Sequence, residues 1–138
     1  MVVLVAPNVA LETGNQSSPP LPHAPVSHYA LEAPRSPILT FEEYAALAAK
    51  DTGMDGKKFT ELIRCESRWD EEAKGDNGTS HGILQFKEAT FDLFAKKYGL
   101  ESADIENSYH QINLAALMLR DGYIAHWKNC SRQIGWIK

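Results

Sequence analysis

The segment CESRWDEEAKGDNGTSHGILQF, which runs from Cys65 to Phe86, contains a carboxylate in an unusual setting. One helix face would carry four residues spaced i, i+3, i+4 and i+7: Phe59, Leu62, Ile63 and Glu66. Apolar neighbours desolvate a carboxyl group and raise its pKa. An acid that stays protonated near neutral pH can protonate a poor leaving group such as a sugar hydroxyl, so Glu66 is the candidate catalytic acid.

Two questions about this site stay open at the level of the sequence. If the helix ends one turn earlier, Glu66 is a solvated C-terminal residue instead. A glycosidase with two carboxylates also needs a partner acid, and nothing distinguishes one among the nearby acids Asp70, Glu71, Glu72 and Asp76. Asp76 also suits a tight turn, and a mechanism with one carboxylate, in which the substrate supplies the nucleophile, is the alternative.

The flanking segments predict the helices that position Glu66. Thr40 and Glu43 fit a capping box, which predicts a first helix from this point to about Lys50. Asp55 can cap the second helix, which carries Glu66. The turn-forming residues that follow predict a loop held by short extended pieces, with a small hairpin leading into GILQF.

Two further helices are predicted in the second half of the chain. The third spans about Glu88 to Tyr98 and is terminated by Gly99. The longest begins near Ser108, and its apolar stripe is expected to continue as far as Tyr123. We expect this helix to be central and buried, and we expect the tail HWKNCSRQIGW to pack back on the domain.

Composition limits the classes of protein and partner. The formal net charge is -4 and basic residues are dispersed, which disfavours nucleic-acid binding. No apolar run approaches the roughly 20 residues that cross a bilayer. The stretch from Leu11 to Pro37 is rich in Pro, Ser and Ala, which predicts that residues 1–38 are a disordered segment or linker. Residues 39–138 predict one globular domain, which we expect to be a monomer. The apolar start lacks a basic region, so a signal sequence is absent or truncated.

The ordered motifs of this chain resemble those of soluble lytic transglycosylases and goose-type lysozymes. The matching residues are Glu66-Ser67, Gly82-Ile83-Leu84-Gln85 and Thr90, followed by QINLAALML at 111–119. The resemblance covers roughly residues 57–136. It implies a mainly α, lysozyme-like α+β fold with a small β or extended element beside a catalytic cleft.

The resemblance also implies roles for individual residues. Glu66 would be the catalytic acid and then base, Gln85 would contact the glycan, Gly82 would let the loop close on the sugar, and Ser67 would support the loop. We also expect Ser80 and His81 to line the groove. For His81, an acid-base or metal role is the alternative to a polar wall residue. Phe86 is either a sugar-stacking or a core aromatic.

The chain departs from the family pattern at its C-terminal end. Many members carry a Tyr-Asn-Ala-Gly segment whose tyrosine reaches the catalytic carboxyl, and this segment is missing. Tyr123 is the candidate that could approach Glu66, with buried packing as the alternative. The shorter end resembles compact members that pair two cysteines, which implies a Cys65–Cys130 disulfide. A metal site formed by these cysteines and His126 is the alternative.

These features predict an extracytoplasmic enzyme that acts on the peptidoglycan glycan strand without a metal or other cofactor. The expected reaction is lytic transglycosylation at the MurNAc-GlcNAc β-1,4 bond, which forms 1,6-anhydro-MurNAc ends. A lysozyme-type hydrolase of the same bond and a non-catalytic peptidoglycan-binding module are the alternatives. A disulfide would agree with an oxidising compartment.

Overall fold

Two side-chain caps begin the first two helices of the computed structural model, which describes residues 38–138. Helix α1 spans Phe41–Thr52, and Thr40 and Glu43 form the predicted capping box, because each side chain accepts a hydrogen bond from the backbone N–H of the other residue. Helix α2 spans Gly56–Ser67 and is capped by Asp55. The predicted disordered segment, residues 1–38, lies outside the described residues except for its last position.

A small antiparallel sheet follows α2. Its strands β1 (Lys74–Gly75), β2 (Ser80–His81) and β3 (Phe86–Lys87) are ordered β1-β2-β3. A 3-10 turn at Asp76–Gly78 joins β1 to β2. In the register of β2 and β3, Ser80 pairs with Lys87. The loop between β2 and β3 contacts the C-terminal end of α2 through Ser67.

Helix α3 spans Glu88–Lys97, and helix α4 spans Ser108–Arg120. A 3-10 turn at Ile124–Trp127 leads into the short helix α5, Lys128–Gln133. Helix α4 is the buried central helix that the sequence predicted. Its fully or nearly fully buried apolar residues are Ile112, Leu114, Ala115, Ala116, Leu117 and Met118.

The prediction that α4 extends to Tyr123 was wrong. The helix ends at Arg120, and Gly122 adopts a left-handed conformation with φ of 93°. Glycine takes this conformation without steric cost, so it ends the helical path and redirects the chain. Tyr123 therefore lies in the turn before the tail and not on the apolar stripe of α4.

The described residues form a mainly helical α+β fold with one small antiparallel sheet, which confirms the predicted fold class. One core joins α1, α2, α3 and α4 with the residues between the strands and with the tail. The tail contributes the buried Trp127, so it packs back on the domain as expected. Within residues 38–138, none of the helices combines the length and apolar character needed to span a membrane.

Candidate active site

Glu66 lies in the last turn of α2, one turn after a fully buried part of the same face. Phe59, Leu62 and Ile63 on that face are completely buried. Glu66 itself is half-buried and lines a cavity of about 380 Å³. Burial, with a smaller contribution from the negative charge of Asp76, raises the pKa of the Glu66 carboxyl to about 7. The carboxyl can therefore both hold and release a proton near neutral pH.

Two segments of the chain form the cavity around Glu66. The sheet wall comprises Asp76, Ser80, Gln85, Phe86, Lys87 and Thr90, and the tail wall comprises residues 125–130. The two walls meet where the buried rings of Phe86 and Trp127 pack edge to face, with centroids 5.4 Å apart. The cavity is therefore an open groove with an apolar junction and polar sides.

Asp76 is a second carboxylate in the cavity lining. It accepts hydrogen bonds from Ser80 Oγ at 2.9 Å and from Lys87 Nζ at 2.8 Å. These bonds, with the positive charge of Lys87, lower the pKa of Asp76, and the hydrogen bond from Lys87 is the largest cause. Asp76 therefore remains ionised at neutral pH, and its charge favours the protonated form of Glu66.

Two buried or half-buried side chains hold the loop between β2 and β3. Ser67 Oγ donates a hydrogen bond to the carbonyl oxygen of Ile83 at 2.8 Å. Gln111 Oε1 accepts from the N–H of Leu84 at 2.9 Å, and Gln111 Nε2 donates to the carbonyl oxygen of His81 at 3.0 Å. Both ends of the Gln111 amide are thus used, so α2 and α4 fix the path of the loop.

The other contacts of this loop reach the tail and Gln85. Trp127 Nε1 donates to the carbonyl oxygen of Leu84 at 2.9 Å, which ties the tail wall to the loop. Gln85 Nε2 donates to the carbonyl oxygens of Gly82 at 2.8 Å and Ala73 at 3.2 Å. The Gln85 nitrogen is therefore committed to the loop, and its Oε1 is the atom that can accept a hydrogen bond from a ligand.

Gly82 permits the close approach of this loop to Gln111. Its φ is 74°, and a Cβ at this position would lie 2.5 Å from Gln111 Nε2. Gly82→Ala is therefore expected to combine backbone strain with a clash and to lower the free energy of unfolding by about 3 kcal/mol. Gly78→Ala is the matched control, because Gly78 also has a positive φ but open space around its Cα. The free energy of unfolding of Gly78→Ala should fall by only about 1 kcal/mol. Urea unfolding of both variants checks this difference, and equal losses would contradict it.

His81 lies in β2 and does not line the cavity. Its Nδ1 is 2.8 Å from Lys74 Nζ and 3.6 Å from Glu106 Oε2. Its carbonyl oxygen contributes to the site indirectly, through the hydrogen bond with Gln111. The side chain therefore forms a surface cluster with Lys74 and Glu106 and does not line the groove, where we expected it from the sequence.

The structure separates the two aromatic candidates. Phe86 lines the cavity but is almost completely buried between Phe91 and Trp127, so the ring belongs mainly to the core. Tyr123 does not line the cavity and packs against Phe94, with ring centroids 4.7 Å apart. Tyr123 is partly buried and packs against the core.

A disulfide joins the helix that carries Glu66 to the tail wall. Cys65 and Cys130 are bonded, with Cα atoms 5.8 Å apart and a sequence separation of 65 positions. Cys65 directly precedes Glu66, and Cys130 itself lines the cavity. The bond uses both sulfur atoms, so neither is a thiolate that could bind a metal together with His126.

Sequence reasoning missed several residues that form this site. Gln111 occupies a buried face of α4, where a polar residue at an apolar position was the available signal. Trp127 was expected to pack on the domain, but its hydrogen bond to Leu84 has no signature in the spacing of residues. The tail wall arises from tertiary packing of residues about 60 positions away from Glu66, so no local pattern indicates it.

Comparisons with known proteins give one match. A family model described as "Transglycosylase SLT domain" matches residues 43–131. This range includes Glu66, both walls of the cavity and the two bonded cysteines. Comparison with curated proteins and comparison with solved structures each gave no significant match.

Proposed function

Because the chain belongs to the SLT transglycosylase family, we propose that it is a peptidoglycan lytic transglycosylase in which Glu66 acts as general acid and then general base. The proposed domain is residues 39–138, and the proposed substrate is the MurNAc-GlcNAc β-1,4 bond of the glycan strand. The observation that supports this proposal most directly is the half-buried Glu66 carboxyl in the cavity, whose pKa is raised to about 7.

In the proposed first step, Glu66 donates its proton to the oxygen that leaves C1 of MurNAc, while the neighbouring N-acetyl oxygen assists at the anomeric carbon. The C1–O bond breaks and the Glu66 carboxylate remains. In the second step, the C6 oxygen bonds to C1 and displaces the N-acetyl oxygen, while Glu66 accepts the proton of the C6 hydroxyl. The products are a 1,6-anhydro-MurNAc end and a free GlcNAc 4-hydroxyl, and Glu66 is again protonated.

Other lining residues are proposed to position the strand. Gln85 offers its Oε1 to a sugar hydroxyl, because its nitrogen is already bonded to two carbonyl oxygens of the loop. The Ser80 hydroxyl lines the cavity, donates to Asp76 and accepts from Lys87 Nζ at 3.2 Å, so its remaining lone pair can accept a hydrogen bond from substrate. Ser67 is proposed to act through the loop, by holding the carbonyl oxygen of Ile83.

A lysozyme-type hydrolase is the second candidate, and Asp76 is the observation that favours it. In a hydrolase with two carboxylates, the second carboxylate assists the attack of water, and Asp76 is ionised and lines the cavity. Ser80 and Lys87 both donate to Oδ2 of this carboxylate and lower its pKa, however. A carboxylate of lower pKa is a weaker general base. This pairing argues against a hydrolase that relies on Asp76 as its base.

The disulfide also supports a location for this activity. Disulfides form and persist in oxidising environments, and peptidoglycan lies outside the cytoplasm. We therefore propose that the protein acts in an extracytoplasmic compartment. We also propose that it is a monomer and requires no cofactor.

Mass spectrometry of muropeptides released from purified peptidoglycan tests the proposal. The unmutated protein should release fragments with 1,6-anhydro-MurNAc ends. Reducing MurNAc ends instead would show that the protein is a hydrolase. If the disulfide-bonded protein binds the strand but releases no fragments, it is a non-catalytic binding module and the proposed function is wrong.

A further inference from the structure

The charges that line the cavity are unequally balanced. The ionisable lining residues are Glu66, Asp76, Lys87, His126 and Lys128. The only ion pair among them within the described residues joins Lys87 Nζ to Asp76 Oδ2 at 2.8 Å. These two charges compensate each other, and Glu66 is uncharged when it carries the catalytic proton.

Lys128 is the cation that this pairing leaves uncompensated. Its side chain is exposed on the tail wall, and within residues 38–138 no carboxylate lies within ion-pair distance of it. It is also the first residue of α5, where a positive charge does not stabilise the helix. Neither an ion pair nor helix stabilisation therefore accounts for a lysine at this position.

While Glu66 carries its proton, the cavity thus has a net positive charge, on a chain whose formal net charge is -4. A local charge opposite to that of the whole protein concentrates ligands of the other sign. We propose that Lys128 binds a carboxylate carried by the glycan strand and thereby selects strands with charged substituents over neutral strands. This inference rests on the proposed function, because it takes the strand as the occupant of the groove.

The disulfide between Cys65 and Cys130 holds the tail wall in place, which suits it to bind a ligand in a fixed orientation. Lys128 lies two residues before Cys130, which is tethered to α2, and one residue after Trp127, which donates to the carbonyl oxygen of Leu84. Both sides of Lys128 are therefore fixed to the elements that carry Glu66 and the loop. A carboxylate bound by Lys128 would orient the strand relative to the catalytic acid.

A strand can offer this carboxylate from two sources: the lactyl group of muramic acid when no peptide is attached, and the acidic residues of an attached peptide. Three ligands separate them. An N-acetylglucosamine oligomer carries no carboxylate, a strand stripped of peptide carries lactyl carboxylates, and a peptide-bearing strand carries peptide carboxylates. Binding is measured by calorimetry with full-length Glu66→Gln protein, so that the ligands are not cleaved during the experiment.

In this background, Lys128→Met is expected to weaken binding of at least one carboxylate-bearing strand by about threefold at low salt, which is the range for an exposed charge pair. Binding of the neutral oligomer should not change. Lys128→Arg should retain the affinity for the charged strands, and about 1 M salt should remove the difference between variants. Lys57→Met is the matched control, because the substitution removes the same charge. Lys57 is exposed and does not line the cavity.

The strand that responds identifies the source of the carboxylate. The inference is wrong if Lys128→Met changes the affinity for neither charged strand, if it weakens binding of the neutral oligomer equally, or if Lys57→Met has the same effect. These outcomes are independent of turnover. Release of muropeptides by the unmutated protein is measured separately, so a failure of this inference is distinguished from a failure of the proposed function.

Discussion

Glu66→Gln should lower the rate of muropeptide release by about 10³-fold, because general acid-base catalysis contributes between about 10² and 10⁴ to a rate. Glutamine keeps the size of the side chain and, like protonated glutamate, is uncharged. It cannot donate a proton to the oxygen that leaves C1 or accept one from the C6 hydroxyl. The measurement is the initial rate of release of soluble fragments from purified peptidoglycan at equal enzyme concentration.

Glu101→Gln is the matched control for this variant. Glu101 is exposed, lies between α3 and α4, and does not line the cavity. It should retain the rate of the unmutated protein. A loss of less than tenfold in Glu66→Gln would show that another group supplies the proton and would contradict the assignment of Glu66.

Stability measurements should show that the loss of activity in Glu66→Gln is not caused by unfolding. The folded-state pKa of Glu66 is about 7 and the unfolded value is near 4.5, so the protonated carboxyl contributes stability at low pH that is lost as pH rises through about 7. Glutamine does not titrate. At about pH 8 its free energy of unfolding should exceed that of the unmutated protein by about 1 to 2 kcal/mol, a range reduced for solvent screening at a half-buried site.

Replacing both bonded cysteines by serine is expected to produce the largest loss of stability among the variants considered. The disulfide closes a long loop between Cys65 and Cys130. Opening that loop increases the entropy of the unfolded chain, which corresponds to roughly 4 kcal/mol in the chain-entropy model. Chemical denaturation of the double variant Cys65→Ser/Cys130→Ser, compared with the oxidised protein, measures this change.

Activity of the double variant tests the second role of the disulfide. The bond fixes the tail wall beside Glu66, so the folded double variant should also release fragments more slowly at a temperature where it is fully folded. The reduced but unmutated protein is the control, since it loses the same bond without a change of side chain.

For the stability prediction, a difference in unfolding free energy of less than about 1 kcal/mol between the double variant and the oxidised protein would contradict the expected constraint on the unfolded state.

Local rules explain why much of the fold was predictable. Thr40 with Glu43, and Asp55, are caps whose hydrogen bonds involve residues two or three positions away, so the sequence contains the complete signal. The apolar spacing that ends at Glu66 likewise fixes which face of α2 is buried. Helix α2 continues through Ser67, so the alternative in which Glu66 lies beyond an earlier helix end is wrong.

The errors and omissions involve contacts between distant segments. The apolar spacing predicted that α4 continues to Tyr123, but Gly122 ends the helical path. The Asp121-Gly122 pair is a turn signal, and the prediction gave more weight to the apolar stripe. Gln111 contacts the loop about 30 residues earlier, and Trp127 contacts Leu84 across more than 40 positions. No periodic pattern encodes such pairs, because they depend on how the helices pack.

The dependence of kcat/KM on pH tests most directly the claim that Glu66 is the catalytic acid. Only the protonated carboxyl can donate, so kcat/KM should fall tenfold per pH unit above an apparent pKa of about 7, and carbon-13 NMR should give the same pKa for Glu66. The residual rate of Glu66→Gln should lack this limb. An alkaline limb near the ordinary glutamate value of 4.5, or a constant kcat/KM up to about pH 9, would contradict the account.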